Sequence, residues 1–115
     1  MEQLSIREQV KKIQDEVRDT SDLFPARASE LLMTLSALLG NINDEIKKRE
    51  IEYNKVLLGF LDSNEKANRA KIRADISPEY ENKMEARNTK ELAIELMRSL
   101  KYYLRAKGDE YQHTM

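Results

Sequence analysis

A single histidine, two pairs of acids and one run of basic and aromatic residues carry whatever chemistry this 115-residue chain offers. His113 stands alone near the end of the chain, and an isolated terminal imidazole is ordinarily solvated rather than catalytic. Glu81/Glu85 and Glu91/Glu95 are each spaced four apart, so on a helix each pair faces one way. A carboxylate metal bundle uses such pairs but adds a Glu-x-x-His, which this sequence lacks. Solvated acids are the plainer reading. No Gly-rich phosphate loop, HExxH or nucleophile elbow is present, and these are the local patterns that phosphate, zinc and acyl chemistry need. With no cysteine, disulfides and thiolate metal sites are excluded. The expectation is a non-enzymatic protein with no metal and no cofactor.

The basic run is the stronger feature. "MRSLKYYLRAK", residues 97–107, holds four cations and two adjacent tyrosines. At 100° per residue, Lys83, Arg87, Lys90, Arg98, Lys101 and Arg105 fall within about 80° of one another, a stripe about 33 Å long. Tyr102 borders it. Leu92, Ala93, Leu96, Met97, Leu100, Tyr103 and Leu104 form a separate apolar face, and the four acids a third. Lys83/Arg87 and Lys101/Arg105 are like-charge pairs four apart, each costing about 0.2–0.5 kcal/mol. A helix shaped for stability alone would alternate signs there. A basic track edged by aromatic rings is what single-stranded nucleic acid binding uses. The plainer reading is a solvated face flanking a buried seam. A second basic group, Lys66, Arg69, Lys71 and Arg73, lies in "EKANRAKIRAD", where Ala67, Ala70 and Ala74 would let another helix come close.

Long helices must position these residues. Gly (3) and Pro (2) are scarce, which leaves little turn chemistry for a sheet. Ile6, Val10, Ile13 and Val17 recur at spacings of four, three and four, the seam of a helix over 2–19. Asp19 to Asp22 then interrupt it, because short polar side chains bond to nearby backbone. Pro25 suits the first turn of the next helix. From Ala28 to Phe60 one apolar stripe holds its phase through Leu35, Leu38, Ile42, Ile46 and Tyr53, which predicts one helix from 25 to 75 with a possible kink near 62–64. Arg49 lies inside that stripe, where it either snorkels or meets an acid across an interface. Ser77 caps, and Pro78 opens, a last helix over 78–107 that Gly108 ends. Residues 108–115 read as a flexible tail.

The fold class is therefore all-α: a long, coiled-coil-like helical hairpin plus a shorter N-terminal helix, in a single domain over 1–107. Such lengths outrun one small domain, so a homo-oligomer is expected, joined through Ile6, Val10, Ile13, Val17, Leu35, Leu38, Ile42, Ile46, Leu96, Leu100 and Tyr103. Net charge is −1, yet residues 63–107 carry +4 and residues 1–62 carry −3, a modest bias toward an acidic partner. The first dozen residues do not read as a signal peptide. The longest apolar run falls short of the roughly 20 residues of a membrane span. A cytoplasmic protein with no membrane partner is expected.

"AKIRAD" (70–75) resembles the "LKARLD" element of phage recombination mediators of the UvsY type. Three of its six residues match: Lys71, Arg73 and Asp75. The order is also similar over the last two-thirds of the chain: a long helix ending in this element, a break, then a charged helix. No aromatic follows Asp75 directly, where that family continues with tyrosine, and the N-terminal helix has no clear counterpart. The resemblance implies an all-helical, ring-forming oligomer that binds single-stranded DNA. It also implies contacts with a recombinase and a single-strand-binding protein, and help in loading the recombinase. The DNA-binding role would pass to Lys71 and Arg73.

Two main readings follow. In the first, the chain is a helical accessory that binds single-stranded DNA along Lys66, Arg69, Lys71, Arg73 and the stripe Lys83–Arg105. In the second, it is a small adaptor or inhibitor whose helices hold a protein partner. A purely structural coiled-coil assembly is a third.

Overall fold

The computed structural model describes residues 4–18 and 23–114, with side chains through Asp109. Four helices and no strand are found among them: α1 (Ile6–Arg18), α2 (Pro25–Asp62), α3 (Ala67–Asp75) and α4 (Pro78–Thr114). The fold is all-α.

α1 and α4 start where a serine supplies a partner for a first-turn N–H, whereas α2 starts on a proline that has none to satisfy. Ser5 Oγ accepts from the Glu8 amide at 3.1 Å, so "SIRE" is the start of a capping box. The helix expected over 2–19 begins four residues later than that; residues 2, 3 and 19–22, with the polar break, lie outside the described residues. Pro25 occupies the first turn of α2. Ser77 Oγ accepts from the Tyr80 amide at 3.3 Å and donates to the Ala74 carbonyl at 2.5 Å, tying α3 to the start of α4.

Two boundaries differ from the expectation. The long helix does not continue to 75. It stops at Asp62, and Asn64 takes a left-handed φ of 64°, a conformation asparagine tolerates better than most residues. The chain then reverses, and α3 runs back beside α2. Two of the three alanines expected to let another helix come close serve this approach: Ala70 and Ala74 are fully buried, while Ala67 is exposed. At the other end Gly108 stays helical with negative φ and α4 runs on to Thr114. Glycine inside a helix costs only about 1 kcal/mol, and a C-terminal stop needs a left-handed residue that Gly108 does not supply. The 108–113 segment is thus helix rather than tail; the His113 side chain lies outside the described ones.

α2 and α4 form an antiparallel hairpin, with Tyr53 against Tyr80 near one end and the Leu23 carbonyl accepting from the Tyr103 hydroxyl at the other. α1 lies in the groove between them over one half of the hairpin. There Val10, Ile13 and Val17 meet Leu31, Leu35, Leu38, Ile42, Ala93, Leu96 and Leu100 in one core, with Ile6, Ile46, Met97 and Tyr103 at its border. The stripes expected to join separate copies therefore pack against one another inside a single chain. Three narrow apolar seams, brought together, cover themselves. The molecule is elongated, with extents of 72 × 34 × 21 Å and a radius of gyration of 19.6 Å, against about 13 Å for a compact domain of 100 residues.

Candidate nucleic-acid interface

The six cations of the α4 stripe share one side of the helix but have different surroundings. Lys83 Nζ sits 4.2 Å above the Tyr53 ring. Arg87 pairs with Glu50 of α2 at 2.5 Å, and that hydrogen bond holds the Glu50 carboxyl below the usual range. Arg98 pairs with Glu95 at 2.7 Å on its own helix. Lys90, Lys101 and Arg105 meet no acid among the described residues. Tyr102, between the last two, is 75 % exposed.

The neighbouring helix explains part of this. α2 carries no charged residue from Leu31 to Asn43, so it offers no carboxylate to the middle of α4. Lys101 and Arg105 lie beyond that segment, at the level of Leu23, where Tyr103 bonds; the acids Glu16 and Glu30 on that side are taken up by Arg27. The open part of the stripe, Lys90 to Arg105, is about 22 Å long at 1.5 Å per residue.

The second basic group adjoins the start of this stripe at Tyr53. Lys71 pairs with Asp75 at 3.2 Å and Arg73 with Glu65 at 2.9 Å; the Arg73 guanidinium also lies 5.9 Å from the Phe60 ring centre. Asp75 accepts from the Tyr53 hydroxyl as well. That hydrogen bond, more than Lys71, keeps the Asp75 carboxyl below its ordinary value against the opposing effect of burial, and in return it raises the Tyr53 hydroxyl. Only Lys66 and Arg69 of this group lack an acidic partner. Lys71 is tied to the level of Tyr53, whereas Lys101 and Arg105 flank Tyr103 at the level of Leu23. Lys71 and that pair are about 45 Å apart along α2. Lys83, over the Tyr53 ring, joins the second group to the start of the stripe, but the acid-paired residues there separate Lys66 and Arg69 from the open cations of α4.

Between them, a cavity of about 400 Å³ opens where α1 begins, lined in part by Arg7, Ile42, Arg49, Glu85 and Thr89. Its polar groups satisfy one another. Arg7 pairs with Glu85 at 3.2 Å and donates to Thr89 Oγ1 at 3.1 Å; Thr89, 3 % exposed, passes its own proton to the Glu85 carbonyl. Arg49 bonds Glu45 and Glu52 at 2.8 and 3.0 Å, so its acids are on its own helix and not across an interface. The Arg7–Thr89 contact joins residues 82 apart in sequence, beyond the reach of any periodicity.

Glu81, Glu85, Glu91 and Glu95 are exposed, and no three metal-ligating side chains gather among the described residues. Among the same residues no helix is long and apolar enough to cross a membrane. Comparison with family models, with curated proteins and with solved structures gave no match to this chain.

Proposed function

We propose that the protein is a non-enzymatic helical binder of single-stranded DNA, acting as an accessory to a recombinase of the kind the "AKIRAD" element suggests. The supporting observation is the open stretch of α4. Lys90, Lys101 and Arg105 have no carboxylate beside them, and Tyr102 stands exposed among them. Phosphates supply the missing counter-charge and a base stacks on the tyrosine. This reading moves the main contact from Lys71 and Arg73, already paired, to the Lys90–Arg105 stretch of α4. Arg98 and Arg87 can trade exposed carboxylates for phosphates at small cost, since exposed ion pairs contribute about 0–1 kcal/mol. Self-association in this reading uses the outward face of α2, where Met33, Ile51 and Leu58 are exposed, because the inward stripes are occupied.

The test is fluorescence anisotropy of a labelled oligothymidine over a salt series. Three neutralised phosphates give a slope of log affinity against log salt of about −2. Lys101→Glu with Arg105→Glu removes most of the binding. No binding by micromolar protein at about 50 mM salt, where counterion release is strongly favourable, contradicts the reading. A protein-interaction role rests on a different observation, the exposed isoleucines of α3.

A further inference from the structure

α3 is built the wrong way round for its own stability. It buries two alanines, Ala70 and Ala74, and leaves its large apolar residue, Ile72, 63 % exposed. Ile76, at the turn that follows, is 78 % exposed. A helix arranged only to pack would bury its isoleucine, the side chain with far more apolar area to remove from water. Single exposed apolar residues are ordinary, but these two stand four apart and share one face of the chain with Arg69.

The charges left unpaired on Lys66–Asp75 are positive. Lys66 and Arg69 have no acidic partner among the described residues. Asp75 is turned inward to Tyr53 and Lys71, and Glu65 is occupied by Arg73. The stretch Lys66–Ile76 therefore presents two isoleucines beside two cations, with its own acids engaged; Glu79, in the first turn of α4, is the next acid along the chain. We propose that this face is a docking site for an acidic amphipathic helix of a partner protein. Two of the partner's aliphatic side chains, one turn apart, cover Ile72 and Ile76, and carboxylates along one edge meet Arg69 and Lys66. This is helix-to-helix recognition read through anchors at i and i+4. A second copy of this chain fits poorly, because like would meet like.

The site stands apart from the DNA reading, and the experiment keeps them separate. The full chain is titrated with a fluorescent helical peptide bearing leucines along one face and glutamates on its flanks. A scrambled peptide of the same composition, anionic phosphatidylglycerol vesicles and an oligothymidine serve as parallel probes. The patterned peptide is expected to bind at micromolar concentration. Ile72→Ser with Ile76→Ser weakens it about tenfold or more, the loss typical of an anchor. Arg69→Glu weakens it as well, while oligothymidine binding by the isoleucine variant is unchanged. Equal helical signal in circular dichroism shows that the variants fold. The proposal is overturned by any of three results: equal binding of the scrambled peptide, binding to vesicles without the peptide, or full affinity in the isoleucine variant.

Discussion

Between Pro25 and Ile46, α2 is covered by α1 and α4 through valine, leucine and isoleucine side chains; between Arg49 and Asp62 it meets α3 through two alanines and through its own Tyr53, bonded to Asp75, and meets the start of α4 through Tyr80. The first half draws on apolar area, which depends little on pH or salt. The second draws on close backbone approach and on the Tyr53–Asp75–Lys71 chain, whose strength depends on protonation. The half with the deeper core also carries the open cations of α4. The half with the thinner one carries the exposed isoleucines. A rigid half that holds a polyanion and a more yielding half that meets a protein is the division this contrast suggests.

The largest expected effect comes from the core. Leu35 is fully buried, and Leu35→Ala should cost about 2–5 kcal/mol in denaturant unfolding. A loss under 1 kcal/mol would place the core elsewhere. Next is Ala70→Leu, which crowds the closest approach of α3. It should cost about 1–3 kcal/mol, with faster hydrogen exchange in α3 and the end of α2 but not in α1.

Smaller still is Tyr53→Phe, which keeps the ring and removes the hydroxyl. Asp75 and Glu50 have depressed values in the fold. Their contribution is complete above the usual carboxylate range and is lost as pH falls through the folded values. Tyr53 has a raised value, so its contribution holds below the usual tyrosine value and is lost as pH rises through the folded one. The far half should therefore loosen at both extremes, below about pH 4 and above about pH 10. Near-ultraviolet circular dichroism should report the alkaline change, and Tyr53→Phe should abolish it. Glu16, lowered by its bond to Arg27, adds an acid-sensitive contact to the first half, but outside its core. The smallest effect belongs to Ile72→Ser, which should leave stability within about 0.5 kcal/mol because the side chain already faces solvent.

Much of this was legible in the residues. The seams Ile6–Val17, Leu35–Ile46 and Leu96–Leu100 read correctly as apolar faces, and Ser77-Pro78 as a helix start. The helix expected from residue 2 starts at Ile6 instead; the capping pattern of "SIRE" was the signal that periodicity alone passed over. What the seams would cover was not legible, because periodicity gives a face and not its neighbour. The same stripes that suggested several copies cover one another within one chain. The turn at Asn64 was hidden for a similar reason: Asn64 and Ala67 hold the helical phase, and only the pairing of Tyr53 with Asp75, 22 residues apart, shows that the chain turns back. The α4 stripe was legible as a face, but not which of its charges α2 would neutralise.

The open cations of α4 run from Lys90 to Arg105. Backbone amide shifts of the ¹⁵N-labelled chain, followed during titration with an oligothymidine, test their role most directly. The account predicts shifts at Lys90, Ile94, Lys101, Tyr102 and Arg105, with α3 unmoved. Shifts confined to Lys66–Arg73, or none anywhere, would contradict it.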